Sequence, residues 1–204
     1  MAHLVVWKGI DEWRSEVATV ELTADGVQAR GTQVGLHPLP YRLDYDLDAG
    51  DGFVTRRLRV DVAGSDWHRR VDLSRKHDGE WRCIAETHGD APVPAAGGDP
   101  DPLIGALDCD LGLSPLTNLM PIRRHALHEG PSEVEILAAW VSVPDLAVHA
   151  SAQRYEHVRR TDDGSVVRFV DLGLHRGFEA ELDLDREGLV RFYPDLALRL
   201  DDRT

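Results

Sequence analysis

Tyr41-Arg42-Leu43-Asp44-Tyr45-Asp46-Leu47-Asp48 decides the fold class. Apolar and charged residues alternate here without a break, and a period of two puts one set on each face of an extended chain. The segment reads as a half-buried strand with Tyr41, Leu43, Tyr45 and Leu47 inward. The same period recurs on either side of it. Leu58, Val60 and Val62 alternate with Arg57, Arg59 and Asp61. Trp67, Val71 and Leu73 oppose His68, Arg70 and Asp72, and Phe178, Ala180, Leu182 and Leu184 oppose Glu179, Glu181, Asp183 and Asp185. Turn signals separate these runs: Ala24-Asp25-Gly26, Ala49-Gly50-Asp51-Gly52, His77-Asp78-Gly79, Asp162-Asp163-Gly164 and Arg186-Glu187-Gly188. Asp-Gly between alternating segments marks a hairpin. The expectation is a mainly β chain of a dozen or more strands, mostly antiparallel and meandering.

One segment breaks the period. Ser114-Pro115 opens like a helix, because Ser caps an N-terminus well and Pro loses no needed hydrogen bond at the first helical position. Leu116, Leu119, Met120, Ile122, Ala126 and Leu127 then fall on nearly all sides, the mark of a buried helix. Pro121 should kink it or end it early. The Pro/Gly-rich run over 89–102 reads as a long, mobile surface loop. The strand habit is the same on both sides of it, so residues 1–204 are expected to form a single domain.

The 204 residues carry 36 Asp+Glu against 23 Lys+Arg, a net charge of −13. That acidity argues against nucleic acid or an anionic membrane surface as the main partner, since both reward clustered cations. The first residues lack a basic region before their short apolar run, so they do not read as a secretory signal. The longest nearly apolar stretch, Ile136 to Val143, is far short of the roughly 20 residues that span a bilayer. A cytoplasmic protein without a transmembrane segment is expected. Cys83 and Cys109 form no CxxC and read as reduced, buried side chains. His125, His128 and Glu129 lack a third ligand from elsewhere, so no metal is expected. No GxSxG, GxxxxGK[ST] or GxGxxG is present, which leaves nucleophilic hydrolysis, nucleotide binding and hydride transfer without support and no cofactor expected.

Several residues could carry function. Asp108 and Asp110 share one strand face with a rise of roughly 6.6 Å between them. They could act as paired carboxylates, or one could orient the following helical turn while the other pairs with an Arg. Thr117, Asn118, Arg123 and Arg124 are the polar groups of an otherwise apolar helix. They are either a structural Arg–Asp pair with backbone-bonded Thr and Asn, or a polar floor to a cavity. Arg56 and Arg69 sit on the apolar phase of their strands, as inward ion pairs or as part of an inner binding surface. Trp67, Trp81, Trp140, Tyr155 and Tyr193 suit either an ordinary β core or a surface for sugars and acyl chains.

Leu107-Asp108-Cys109-Asp110-Leu111-Gly112-Leu113-Ser114-Pro115-Leu116-Thr117-Asn118-Leu119-Met120-Pro121-Ile122-Arg123-Arg124 resembles the central motif of the family known as "Putative glycolipid-binding", formerly a domain of unknown function. Other pieces match in order: Trp67 to Leu73 with Asp78-Gly79-Glu80-Trp81, Ala138-Ala139-Trp140-Val141 with Pro144, Gln153-Arg154-Tyr155, Gly177-Phe178, and Asp185 through Gly188-Leu189-Val190 to Tyr193-Pro194. Met120 departs from the pattern, where a smaller aliphatic residue is usual. The resemblance implies a spiral β-roll: one long, mostly antiparallel sheet wrapped around a single α-helix, about residues 115–127, forming homodimers. It also implies a non-catalytic protein that binds or carries an amphiphile such as a glycolipid. Asp110, Thr117, Asn118, Arg123, Arg124, Arg69, Trp81, Trp140, Gln153 and Tyr155 are then the candidate ligand-binding residues. Two alternatives stay open: a hydrolase on a sugar or lipid using Asp110 with Arg123 or Arg124, and a structural homodimer without ligand.

Overall fold

A computed structural model describes residues 2–200. The first half is a run of hairpins: β1 (Ala2–Gly9), β2 (Arg14–Leu22), β3 (Val27–Gly35), β4 (Tyr41–Gly50), β5 (Val54–Ala63), β6 (Trp67–Arg75) and β7 (Trp81–Gly89). After a long connection come β8 (Asp108–Leu111), a 3-10 turn (Leu116–Asn118), the helix α1 (Leu119–Arg124) and β9 (Glu133–Val141). The second run then follows as β10 (Val148–Thr161), β11 (Gly164–Asp171), β12 (Glu179–Asp185), β13 (Val190–Tyr193) and β14 (Ala197–Arg199). All 14 strands form one sheet in the order β7-β6-β5-β4-β3-β2-β1-β14-β13-β12-β11-β10-β9-β8. Every pairing is antiparallel except β8 with β9. Among the described residues no helix is long and apolar enough to cross a membrane.

The alternation read in β4 is what bends the sheet. Tyr41, Leu43, Tyr45 and Leu47 are at most 5% exposed, while the intervening charges lie outside and pair across strands, as Arg30 does with Asp46 at 2.7 Å. Inside, the Tyr45 and Tyr41 rings lie over Gly31 and Gly35 of β3, their register partners. A Cβ on Gly31 would come within 2.4 Å of the Tyr45 ring, so only glycine admits this packing.

The sheet does not close; its ends overlap. The Thr55 N–H of β5 donates to the Leu107 carbonyl at 2.9 Å, and the Thr55 hydroxyl accepts from the Cys109 N–H at 2.9 Å. The terminal strand β8 thus abuts β5, while β6 and β7 run on past it, and the Trp81 indole donates to the Ala106 carbonyl at 3.1 Å. That overlap makes the roll a spiral. The β8 edge gains cover that an open sheet lacks.

The connection after β7 is held where the composition suggested a mobile loop. The Gly97 N–H donates to the Leu146 carbonyl and the Val148 N–H to the Gly97 carbonyl, at 2.8 and 3.0 Å. Leu103 and Ala106, both fully buried, pin its end to the core. Pro and Gly here shape a strap, because the buried apolar residues and the bridge to Ala147 outweigh the flexible composition.

The helix is shorter than expected, a 3-10 turn and then six α-helical residues. Pro121 falls in its first turn, where a missing N–H leaves no bond unmade, and the backbone turns away at Ala126 with φ 51°. Leu119 and Met120 join the larger apolar cluster, formed mostly by β1 to β7, and Ile122 joins a second one with Leu127, Tyr155, Val167 and Leu182. The two halves of the core therefore meet on this helix.

Arg56 does not point inward. Asp48 pairs with Arg57 but Ala49 pairs with Thr55, so Arg56 is the extra residue of a bulge. The bulge shifts the strand's phase: Thr55 is buried, and Arg56 is exposed beside Asp51 at 2.9 Å.

Candidate functional site

The concave side of the second half holds a half-open cavity of about 290 Å³. Its polar floor comes from the motif after the long connection. Leu113 adopts φ 63° between β8 and the 3-10 turn. This tight reversal brings Asp110, at the end of β8, over Thr117 and Asn118. The Thr117 hydroxyl donates to Asp110 Oδ1 at 2.9 Å and accepts from the Leu111 N–H at 3.2 Å. Two residues of β10 complete the network. Gln153 Nε2 donates to Asp110 Oδ2 at 2.7 Å. The Tyr155 hydroxyl faces two acceptors, Asn118 Oδ1 at 3.0 Å and Gln153 Oε1 at 3.3 Å. Asn118 Nδ2 donates to the Pro115 carbonyl at 3.1 Å. Burial raises the Asp110 carboxyl, opposed by the bonds from Gln153 and Thr117.

The walls are aromatic. Trp140 of β9, Phe169 of β11 and Tyr193 of β13 line the cavity together with Phe178. Phe178 lies just before β12 and is 41% exposed at the mouth, not on the strand's inner face where its alternation put it. It stacks on Tyr193 with ring centres 6.4 Å apart. His175 meets the Trp140 ring edge-on at 5.4 Å, and its Nδ1 lies 3.4 Å from Asp171 Oδ2. Tyr193 is 6% exposed, and burial pushes its phenol well above the ordinary range.

Of the ten candidate residues, Asp110, Asn118, Trp140 and Gln153 line this cavity. Thr117 and Tyr155 stand behind it and hold the floor. The other four lie elsewhere. Arg124 makes a fork with the Asp108 carboxylate and donates to the Phe53 carbonyl at 3.2 Å. Arg123 lies over the Phe53 ring at 5.2 Å and meets His128 Nε2 at 3.2 Å. Arg69 is buried, but its Nη1 donates to the His68 and His88 carbonyls, at 3.1 and 2.9 Å, and among the described residues it meets no carboxylate. Trp81 is a core residue. The hydrolase alternative, which needs Arg123 or Arg124 beside Asp110, lacks its cations in this arrangement.

Asp171 and His175 were not singled out by sequence. A signal for Asp171 existed: the inward phase of Val167 and Phe169 continues to it, and a carboxylate at an inward position is unusual. His175 lies in the turn between β11 and β12, where no period points anywhere. A larger groove, about 580 Å³, runs over the outer face, but exposed charges such as Arg30, Asp46 and Arg57 make its walls. Among the described residues no group of three or more His, Cys, Asp or Glu side chains could hold a metal ion.

A family model described as "Putative glycolipid-binding" matches residues 4–199. A crystal structure of a DUF1089 family protein from Pseudomonas aeruginosa superposes with a TM-score of 0.70 at 26% identity, over 95% of each chain. Comparison with curated proteins finds no match.

Proposed function

Because this chain belongs to the "Putative glycolipid-binding" family, we propose that it binds a glycolipid without acting on it chemically, and that the cavity over Asp110 takes the head group. One observation carries the reading: a closed network of Asp110, Gln153, Tyr155, Asn118 and Thr117 forms the floor of a cavity whose walls are aromatic. Convergent polar groups under an apolar wall are what an amphiphile's polar end needs. The floor residues fix one another, so little ordering remains for binding to impose.

The volume sets a limit. About 290 Å³ is at the bottom of the usual range for ligand pockets. It suits one end of an amphiphile, and the acyl chain leaves past Phe178 and Leu196 at the mouth. Burying chain carbons there would add about 0.8 kcal/mol per CH₂. A carrier role and a homodimer belong to the same proposal, as does the treatment of residues 1–204 as one domain. Leu4 and Val17, 73% and 40% exposed on β1 and β2, are apolar surface that a second copy would cover.

Native mass spectrometry of the protein purified from its own host tests the reading. An intact glycolipid is expected at a one-to-one ratio. Trp140→Ala removes one wall without breaking a hydrogen bond of the floor, and should reduce the occupied fraction at least tenfold with the melting curve unchanged. Repeated absence of an adduct from wild type, or an undiminished adduct in the variant, would overturn the assignment.

A further inference from the structure

The cavity's charge says what kind of head group it takes. Two carboxylates line it, Asp110 and Asp171, and no Lys or Arg does. The arginines nearest in sequence are committed elsewhere: Arg124 to Asp108, and Arg123 to the Phe53 ring and the Glu187 carbonyl. The bonds the carboxylates already accept leave lone pairs over. Asp110 takes one donor on each oxygen, from Thr117 and Gln153. Asp171 Oδ1 takes the Gly173 N–H at 2.7 Å, with His175 beside Oδ2. A carboxylate offers about four acceptor sites, so both can take further donors. The Tyr193 side chain is more than nine-tenths buried in the wall of the same cavity, and its hydroxyl has no hydrogen-bond partner among the described residues. That hydroxyl is therefore free to donate to, or accept from, whatever enters the cavity.

We infer that this cavity selects an unphosphorylated, hydroxyl-rich head group, whose O–H groups donate to Asp110 and Asp171 and which satisfies the Tyr193 hydroxyl. The inference rests on the glycolipid reading above and narrows it. A phosphate or carboxylate head would lose its hydration for a site whose fixed charges have its own sign, with no guanidinium or ammonium to meet it. Its own field works the same way, since the whole chain carries −13.

The test is isothermal titration of the full-length protein with three monomeric probes at matched ionic strength: n-octyl β-D-glucopyranoside, its 6-phosphate, and octylamine. The glucoside is expected to bind at least tenfold more tightly than either of the others. In the double variant Asp110→Asn/Asp171→Asn, shown folded by circular dichroism, the gap between glucoside and 6-phosphate should narrow to threefold or less. If the 6-phosphate binds as well as the glucoside, the charge selection is wrong while the glycolipid reading stands. If octylamine binds most tightly, the site is for a cation and the inference fails. An unchanged gap in the folded double variant would remove the carboxylates as its cause. If neither glucoside binds wild type, the glycolipid reading fails and takes the inference with it.

Discussion

Replacing Arg124 with Ala is expected to destabilise the fold by about 3–5 kcal/mol, the range for removing one partner of a buried ion pair. The Asp108 side chain is 2% exposed and that of Arg124 12%. The guanidinium is a fork that fits the carboxylate with two bonds, and its Nη1 also reaches the Phe53 carbonyl. It thus joins the end of α1 to the terminal strand β8 and to the turn between β4 and β5. The truncation leaves a carboxylate buried without a counter-charge at the point where the sheet's ends overlap. Lys keeps the charge but not the fork, so Arg124→Lys should recover only part of the loss. Urea denaturation measures both. A cost under 1 kcal/mol for Arg124→Ala would show that solvent relieves Asp108. At a temperature where the variant is folded, its affinity for n-octyl β-D-glucopyranoside should match wild type, because Arg124 does not line the cavity.

Glu16 makes the second large effect, and it depends on pH. Its side chain is buried against β3 and β4. The Tyr45 and Ser114 hydroxyls donate to Oε1 at 2.6 and 2.7 Å, and Gln33 Nε2 to Oε2 at 3.3 Å. Burial nevertheless pushes the carboxyl up from 4.5 to about 7, against the pull of those three bonds. Below pH 4.5 both the folded and the unfolded chain hold this proton. Between pH 4.5 and 7 only the folded chain does, so stability falls as pH rises through this window. Above 7 both are ionised and the loss is complete, about 3 kcal/mol at 1.36 kcal/mol per unit. Gln33 Oε1 is buried without a partner. An amide flip would turn it toward Oε2, where the protonated acid has a donor to offer. Glu16→Gln supplies a permanent donor there. It should flatten the slope between pH 4.5 and 7 and leave the protein about 3 kcal/mol more stable than wild type at pH 8. A parallel pH profile for the two proteins would rule this account out.

The strands were legible because a sheet with one wet face writes its period into the chain. Tyr41 to Asp48 and Phe178 to Asp185 mark β4 and β12 to within two residues. Arg56 misled because a bulge changes phase by one residue and leaves the same letters on either side of it. The helix was legible in place but not in length: Ala126 and Leu127 extend the apolar pattern, yet the backbone turns away at Ala126, which is exposed, and Leu127 packs beyond the turn. Within the site, the motif residues Asp110, Thr117 and Asn118 could be named together because one tight reversal gathers them. Their separation from Arg123 and Arg124 could not. It depends on which side of a six-residue helix faces the cavity, and a helix apolar all round gives no such sign. Tyr193 and Asp171 arrive from strands far away in sequence, and only the rolled sheet puts them there.

The place of β14 has a consequence for how the chain reaches this shape. Read from β9 through β14 and on from β1 to β7, the sheet is an uninterrupted antiparallel meander, with β8 added in parallel beside β9. The polypeptide is that meander opened between β14 and β1 and joined again through the strap after β7. Each half can therefore zip up hairpin by hairpin, with short loops to close. The seam between them is different. It pairs Trp7, Lys8 and Gly9 with Arg199, Leu198 and Ala197, residues from opposite ends of the sequence. Such contacts are the slowest to gather, because the entropy of closing nearly the whole chain is lost before they are made. Among the described residues the seam is three residue pairs wide, with the Leu200 N–H donating to the Val6 carbonyl beside them. In native-state hydrogen exchange its amides should open at lower free energy than those of β3 to β5, which makes the midline of the sheet, and not either rim, the place where the roll comes apart.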